Sequence, residues 1–318
     1  MTGGNMEAFN NQHFLSYLIK GDLREAVRYL RYFKDQACLL DHYMRIFDQG
    51  QPVIRSFNPL IHRLDMIYQD YYRAIFWQEV DRHKAEESLF KALESFCGLS
   101  IEDLSHTDVE NQVRDLVVTE GFNFLGGKTS PYYGPYIWEK TNREVFQVDL
   151  PSGKESYRVD MMEGFVSNSW LDFISLGRVS TGGWVGKDGV MACIRGLYDQ
   201  SSLNFKVSFL KHEAQHAYDK RVFKNLKSCE LEYRAKLVEL IYWQGDKKIK
   251  MIASEADDTD PDNGHSLASH RIIKGLSKYI NLDGLDDLAE QMDKLRACAR
   301  SLLTEDTNRL ISLGQLQA

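Results

Sequence analysis

Paired cysteines are missing from this chain. Its five, Cys38, Cys97, Cys193, Cys229 and Cys298, lie far apart and form no C-x-x-C pair, which excludes a disulfide framework and a cysteine-bound zinc and suits reduced, buried thiols. A basic excess is missing too. The formal charge is -7, so the electrostatic footprint that phosphate backbones require is absent and nucleic acid is not an expected partner. No apolar stretch approaches the ~20 residues that span a bilayer, and the opening "MTGGNMEAFNNQHF" lacks the basic segment and apolar run of a secretory signal. The expectation is a soluble, cytoplasmic chain with no membrane span. No internal repeat stands out, although "GDLREAVRYL" has the flavour of one helix of a helical-hairpin repeat.

What is present suits a sizeable core. Of 318 residues, 43% are hydrophobic and 12% aromatic, enough for one large domain or two smaller ones. From about Ala8 to Cys97 apolar residues recur at three- and four-residue spacing in "GDLREAVRYLRYF", "LIHRLDMIYQDYYRAIFWQEV" and "HKAEESLFKALESF", which predicts helices punctuated at Asp22 and at Asn58 with Pro59. Another helix, "DVENQVRDLVVTEGF", follows Asp108. The aromatic run "YQDYYRAIFW" reads as core. At Gly121 the composition turns to glycine, proline and aromatics, and two alternating runs about Pro151, Ser152 and Gly153 predict a β-hairpin. "GRVSTGGWVGKDGVMACI" predicts a second, turning at Gly186 to Gly189. Helical spacing returns from Phe205, with "CELEYRAKLVELIYWQ" as a helix capped by Ser228, then the acidic loop "SEADDTDPDNG" and the helices "HSLASHRIIKGLSKYI" and "LDDLAEQMDKLRACARSLL". The fold class expected is α+β: a helical region over residues 1–120, then residues 121–318 with a small, mainly antiparallel sheet and further helices.

One stretch carries chemistry. "FLKHEAQHAYD" sets His212, Glu213 and His216 in the pattern H-E-x-x-H. Histidines four apart share one helix face and can both reach one ion at about 2.0–2.1 Å. Zinc there would lower the pKa of a bound water towards ~7, and Glu213 would take its proton as general base in the attack on a carbonyl. The flanks Phe209, Leu210, Ala214, Gln215, Ala217 and Tyr218 are uncharged and free of proline and glycine, as a helix half buried against a sheet requires. The plain alternative is a pair of helix histidines in ordinary hydrogen bonds.

Here the chain resembles the zincin metallopeptidases, in which such a segment supplies two zinc ligands and the base. A third protein ligand is then needed, with the fourth position left to water. No histidine follows at metzincin spacing, so Glu230, Glu232 and Glu239 in the next helix are the candidates. In an antiparallel hairpin centred near Lys224, Glu232 comes level with His216, Glu239 falls opposite Phe209 below the site, and Glu230 sits at the exposed helix start. Glu232 is therefore the expected third ligand. "LEYRAKL" also looks like the E-[FY]-x-A-D segment of gluzincins of the CAAX-protease and heat-shock membrane metalloprotease kind. Where many of them carry an aspartate to orient a ligand histidine, this chain has Lys236; Asp219 and Glu239 are the candidates for that task.

The resemblance covers only the two motif helices. It implies a zincin-like metallopeptidase domain in residues 121–318, a Zn2+ cofactor, a peptide or protein substrate, and a recruiting or regulatory role for the N-terminal helices toward a protein partner. It also suggests a histidine or tyrosine that stabilises an oxyanion, for which His265 ranks ahead of Tyr218 and Tyr233. "STGGW", residues 180 to 184, stands where zincins place the sheet edge that pairs with substrate; a hairpin with positive φ and Trp184 in the core is the alternative. The rival to a peptidase is a metal-stabilised binding protein that cleaves nothing. His13, His42, His62, His83 and His106 have no partner at ligand spacing.

Overall fold

The computed structural model describes residues 8–98, 104–186, 188–259, 263–280 and 291–317. The chain divides into two compact units, one of Met1–Lys140 with Met162–Thr181 and one of Thr141–Met161 with Gly182–Ala318. The composition change at Gly121 falls inside the first. The fold class is α+β, as the residue pattern predicts.

The first unit opens with α1 (Asn11–Ile19), α2 (Leu23–Leu30) and α3 (Ala37–Tyr43), which runs on into π-helical turns at Met44–Asp48. Then come α4 (Pro59–Phe76), α5 (Arg82–Cys97) and α6 (His106–Thr119). Asn58 does cap α4, its side chain accepting from the Leu60 and Ile61 amides, with Pro59 at the first helical position. Asp22 precedes α2 but its side chain makes no cap bond. The aromatic run is core: Tyr68, Tyr71, Tyr72 and Phe76 are buried among Phe14, Leu18, Leu64 and Leu93. Short strands β1 (Asn123–Leu125), β2 (Lys128–Thr129) and β3 (Tyr132–Tyr133) follow, and α7 (Ser169–Ile174) ends the unit's helices.

Two long strands, β4 (Tyr136–Leu150) and β5 (Gly153–Asn168), run through both units and form the hairpin predicted at Pro151 and Ser152. With β6 (Gly183–Val185) and β7 (Met191–Ile194) they complete a sheet of order β1-β4-β5-β7-β6. β6 and β7 are the second predicted hairpin, antiparallel with Gly183 opposite Cys193 and Val185 opposite Met191. β6 is an edge strand.

The second unit adds α8 (His212–Val222), α9 (Ser228–Tyr242), α10 (Lys247–Glu255), α11 (Gly264–Leu276) and α12 (Met292–Ser312). Helix α9 is the axis of this unit, with α8, α10, α11 and α12 all packed on it. Every residue from Glu232 to Ile241 is buried, so this stretch of α9 has no solvent face and its charged residues must find partners inside. Ser228 is not its cap. It is the first helical residue, and the Glu230 carboxylate instead accepts from the Lys227 amide at 3.1 Å. α10 went unpredicted: it is a short helix between the α9 segment and the acidic loop. The predicted start of the last helix, residues 285–290, lies outside the described residues. Among the described residues no helix is long and apolar enough to cross a membrane.

Candidate metal centre

The segment before the motif is wound as a π-helix, Asn204–Lys211, and passes directly into α8 at His212. Wide turns of this kind are rare and cluster at functional sites because they re-aim the residues that follow. Phe205 and Phe209 are buried on this segment, and both rings pack against Tyr198.

The two histidines stand four residues apart on α8, their ring centroids 4.6 Å apart and their planes perpendicular. Glu232 on α9 faces both. Its Oε1 lies 3.3 Å from His216 Nε2 and its Oε2 3.5 Å from His212 Nε2. One ligand atom from each of the three side chains falls within 4.8 Å of the others, so the group could hold a metal ion. The expected ligand set is thus assembled on adjacent helices, with Glu232 level with His216 as the hairpin geometry required.

The donor chemistry fits a small divalent cation. His212 Nδ1 is 2.8 Å from Glu239 Oε1, and we assign the proton to Nδ1 because a carboxylate can only accept. Nε2 then turns a lone pair toward Glu232, an unfavourable contact unless positive charge lies between them. Two imidazole nitrogens and one carboxylate oxygen suit zinc, which takes such ligands in tetrahedral geometry. Burial alone would lower the His212 pKa, yet the Glu239 hydrogen bond and the charges of Glu239, Glu232 and Glu213 raise it to about 9. Burial pushes Glu232 upward, but His216, His265 and His212 hold it far below the usual carboxylate range. The pocket therefore draws in positive charge.

Glu239 is the residue that orients His212. Residues 232 and 239 are two turns apart on the same face of α9, so both carboxylates turn toward α8, and the Glu239 side chain reaches His212. Its other oxygen, Oε2, pairs with the buried Lys248 at 2.5 Å. Asp219 serves a different task, accepting from Gln215 at 2.9 Å and from Arg234 at 2.9 Å. His216 Nδ1 is left buried without a hydrogen-bond partner among the described residues. Lys236, the departure from the gluzincin pattern, is buried as well. Its ammonium reaches Glu255 at 2.6 Å, Ser269 Oγ at 2.7 Å and the His265 carbonyl at 3.3 Å, which ties the start of α11 to α9.

That tie brings His265 to the centre: its Nδ1 lies 3.1 Å from Glu232 Oε2, while most of its side chain stays exposed. Tyr233 goes elsewhere, under the Arg271 guanidinium at 3.7 Å, and Tyr218 packs near Arg221. Glu230 is engaged by Arg309 at 2.9 Å. Elsewhere His106 stacks on Phe90, His13 lies 3.0 Å from the Tyr17 hydroxyl and His83 lies 3.2 Å from Glu87.

Glu213 is half-buried on a helix that packs on β6. Burial first, then the charges of Glu144 and Glu213, push the Cys193 thiol up to about 12. Tyr198 is pushed up to about 12 by burial, Cys193, Glu213 and Glu239. Gly182 and Gly183 do not adopt positive φ. They are glycines for space: a Cβ on Gly182 would strike the Tyr198 hydroxyl, and one on Gly183 would strike the Ala192 carbonyl and the Phe209 ring. Trp184 is half-buried. Lys248 and Tyr198 are the site residues that sequence reasoning missed, for neither stands in a motif and both arrive by packing. Compared with known proteins, the chain matches no family model, no curated protein and no solved structure.

Proposed function

We propose that the chain is a zinc-dependent peptidase of the zincin type, with His212, His216 and Glu232 as the metal ligands and Glu213 as general base. The observation that carries this reading is the convergence of two Nε2 atoms on one buried carboxylate, with the base at the next helix position and an edge strand packed on the same helix. Bound zinc would supply Lewis acidity toward a carbonyl and make water more acidic. Glu213 takes the proton of the attacking water and passes it to the leaving amine. Glu239 holds the His212 ring in one tautomer, and Lys248 keeps Glu239 ionised. His265, beside Glu232 on the exposed side, donates to the oxyanion as the carbonyl becomes tetrahedral. The edge of β6 offers backbone groups to an extended substrate. The N-terminal helices recruit or regulate, and five unpaired cysteines suit a reducing compartment such as the cytoplasm.

The test is metal content by mass spectrometry on protein purified without added metal, beside peptide hydrolysis. We expect about one zinc per chain, lost in a His212→Ala, His216→Ala double variant. Glu213→Gln should keep the metal and abolish hydrolysis. Hydrolysis that survives Glu213→Gln overturns the mechanism. Bound metal with no hydrolysis by the unaltered chain would leave a metal-stabilised binding protein.

A further inference from the structure

The line between α8 and β6 leads from Glu213 into a cavity that the reaction leaves unused. Helix positions four apart share a face, so Glu213 stands one turn before Ala217 on α8, a helix that packs on β6. At one end of β6, Gly183 meets the Phe209 ring and pairs with Cys193, the thiol that feels the Glu213 charge. At the other end, Val185 joins Ala217 in the wall of a cavity of 590 Å³. A substrate strand laid along β6 would pass Glu213 and reach this cavity next.

The cavity is basic. Arg158 from β5 and Lys220 and Arg221 from α8 line it, against a single acid, Asp188. Arg221 is already taken, with both Glu155 oxygens at 2.7 Å. Asp188 is held in the β6–β7 turn, where it accepts from the Val190 amide at 3.2 Å. Arg158 and Lys220 are exposed and make no ion pair among the described residues. Two uncommitted cations at the mouth of a pocket select a carboxylate, because a charge-assisted hydrogen bond is roughly twice as strong as a neutral one.

We propose that this cavity is a specificity pocket for an acidic side chain, Asp or Glu, of a peptide substrate, with Arg158 and Lys220 as its recognising groups. The assignment rests on the peptidase reading for its direction of approach. Four helical residues rise about 6 Å and one extended residue about 3.3 Å. The acidic residue therefore stands about two positions from the bond cleaved.

The test uses a degenerate library of decapeptides, acetylated and amidated so that no free terminus competes, captured on the full zinc-loaded chain carrying Glu213→Gln and read by mass spectrometry. The expected result is enrichment of Asp and Glu by about tenfold, lost with Arg158→Gln, Lys220→Gln and turned to Lys and Arg with Arg158→Glu, Lys220→Glu. Both positions are exposed, so these variants should fold, which circular dichroism checks. Absence of acidic enrichment, or enrichment unmoved by the charge reversal, overturns the pocket. Acidic capture by the Glu213→Gln chain, with no cleavage of that library by the unaltered chain, keeps the pocket and removes the peptidase.

Discussion

The two units bury charge in different ways. In the first, the buried cation is Arg73, whose partners are mostly neutral: the Ile46 carbonyl at 2.9 Å, the Gln51 carbonyl at 2.8 Å and Gln69 at 3.2 Å, with the exposed Asp70 alongside. Around it lies an aromatic and aliphatic core. In the second, Arg234, Lys236, Lys248, Glu232, Glu239, Asp219 and Asp306 are all buried, and most of them pair with one another. Arg234 lies between Asp219 at 2.9 Å and Asp306 at 3.2 Å. Replacing buried ion pairs by apolar packing is often neutral or stabilising, so stability alone does not account for such a core. What the second unit gains is a scaffold in which carboxylates hold histidines at defined angles. The first is built to be packed and the second to position.

The contrast can be broken from both sides. Arg234→Met should cost about 3–5 kcal/mol in urea unfolding, because Asp219 would keep only Gln215 and stay buried with its charge unpaired. The equivalent change in the first unit, Arg73→Met, should cost about 1–3 kcal/mol, since it strands carbonyls and not carboxylates. Equal losses would remove the distinction. Glu239→Gln sharpens it at the site: metal affinity, read by competition with a chromogenic chelator, should fall about ten- to a hundredfold while the fold persists.

Acid should act on the two units with opposite sign. Burial pushes Asp306 upward, but Arg271 and Arg309 hold it below the ordinary aspartate value. Its contribution is therefore present above about pH 4 and lost as pH falls through its lowered folded value. Asp219, raised by burial, offsets part of that loss. In the first unit, Asp65 and Asp172 are raised by burial against the pull of Arg55. Taking up a proton relieves a cost there, so the unit is favoured as pH falls through their raised values. Hydrogen exchange at neutral pH and near pH 3.5 should show α9 and α12 losing protection before α4. The reverse order would mean that other acids govern.

Much of this was legible beforehand and some was not. Both hairpins, the Asn58 cap and the aromatic core follow from alternation, turn residues and spacing, which act over a few neighbours. The Ser228 cap failed because Ser228 is already helical: the cap position falls on Lys227, whose amide donates to the Glu230 carboxylate three residues on. The burial of α9 from Glu232 to Ile241 was hidden, since Arg234, Lys236 and Glu239 look like solvent residues until their partners are seen.

The sequence by itself determined that His212, Glu213 and His216 share one helix and that the two histidines share one face of it, because four-residue spacing is a property of the helix alone. It also narrowed the third group to the glutamates of the next helix. Only the tertiary structure decided that Glu239 orients His212, that Lys248 stands behind it, that Lys236 ties down the start of α11, and that His265 meets Glu232. Those contacts join residues from different helices, and whether they meet depends on helix register and side-chain reach to within an ångström or two. No local pattern encodes that.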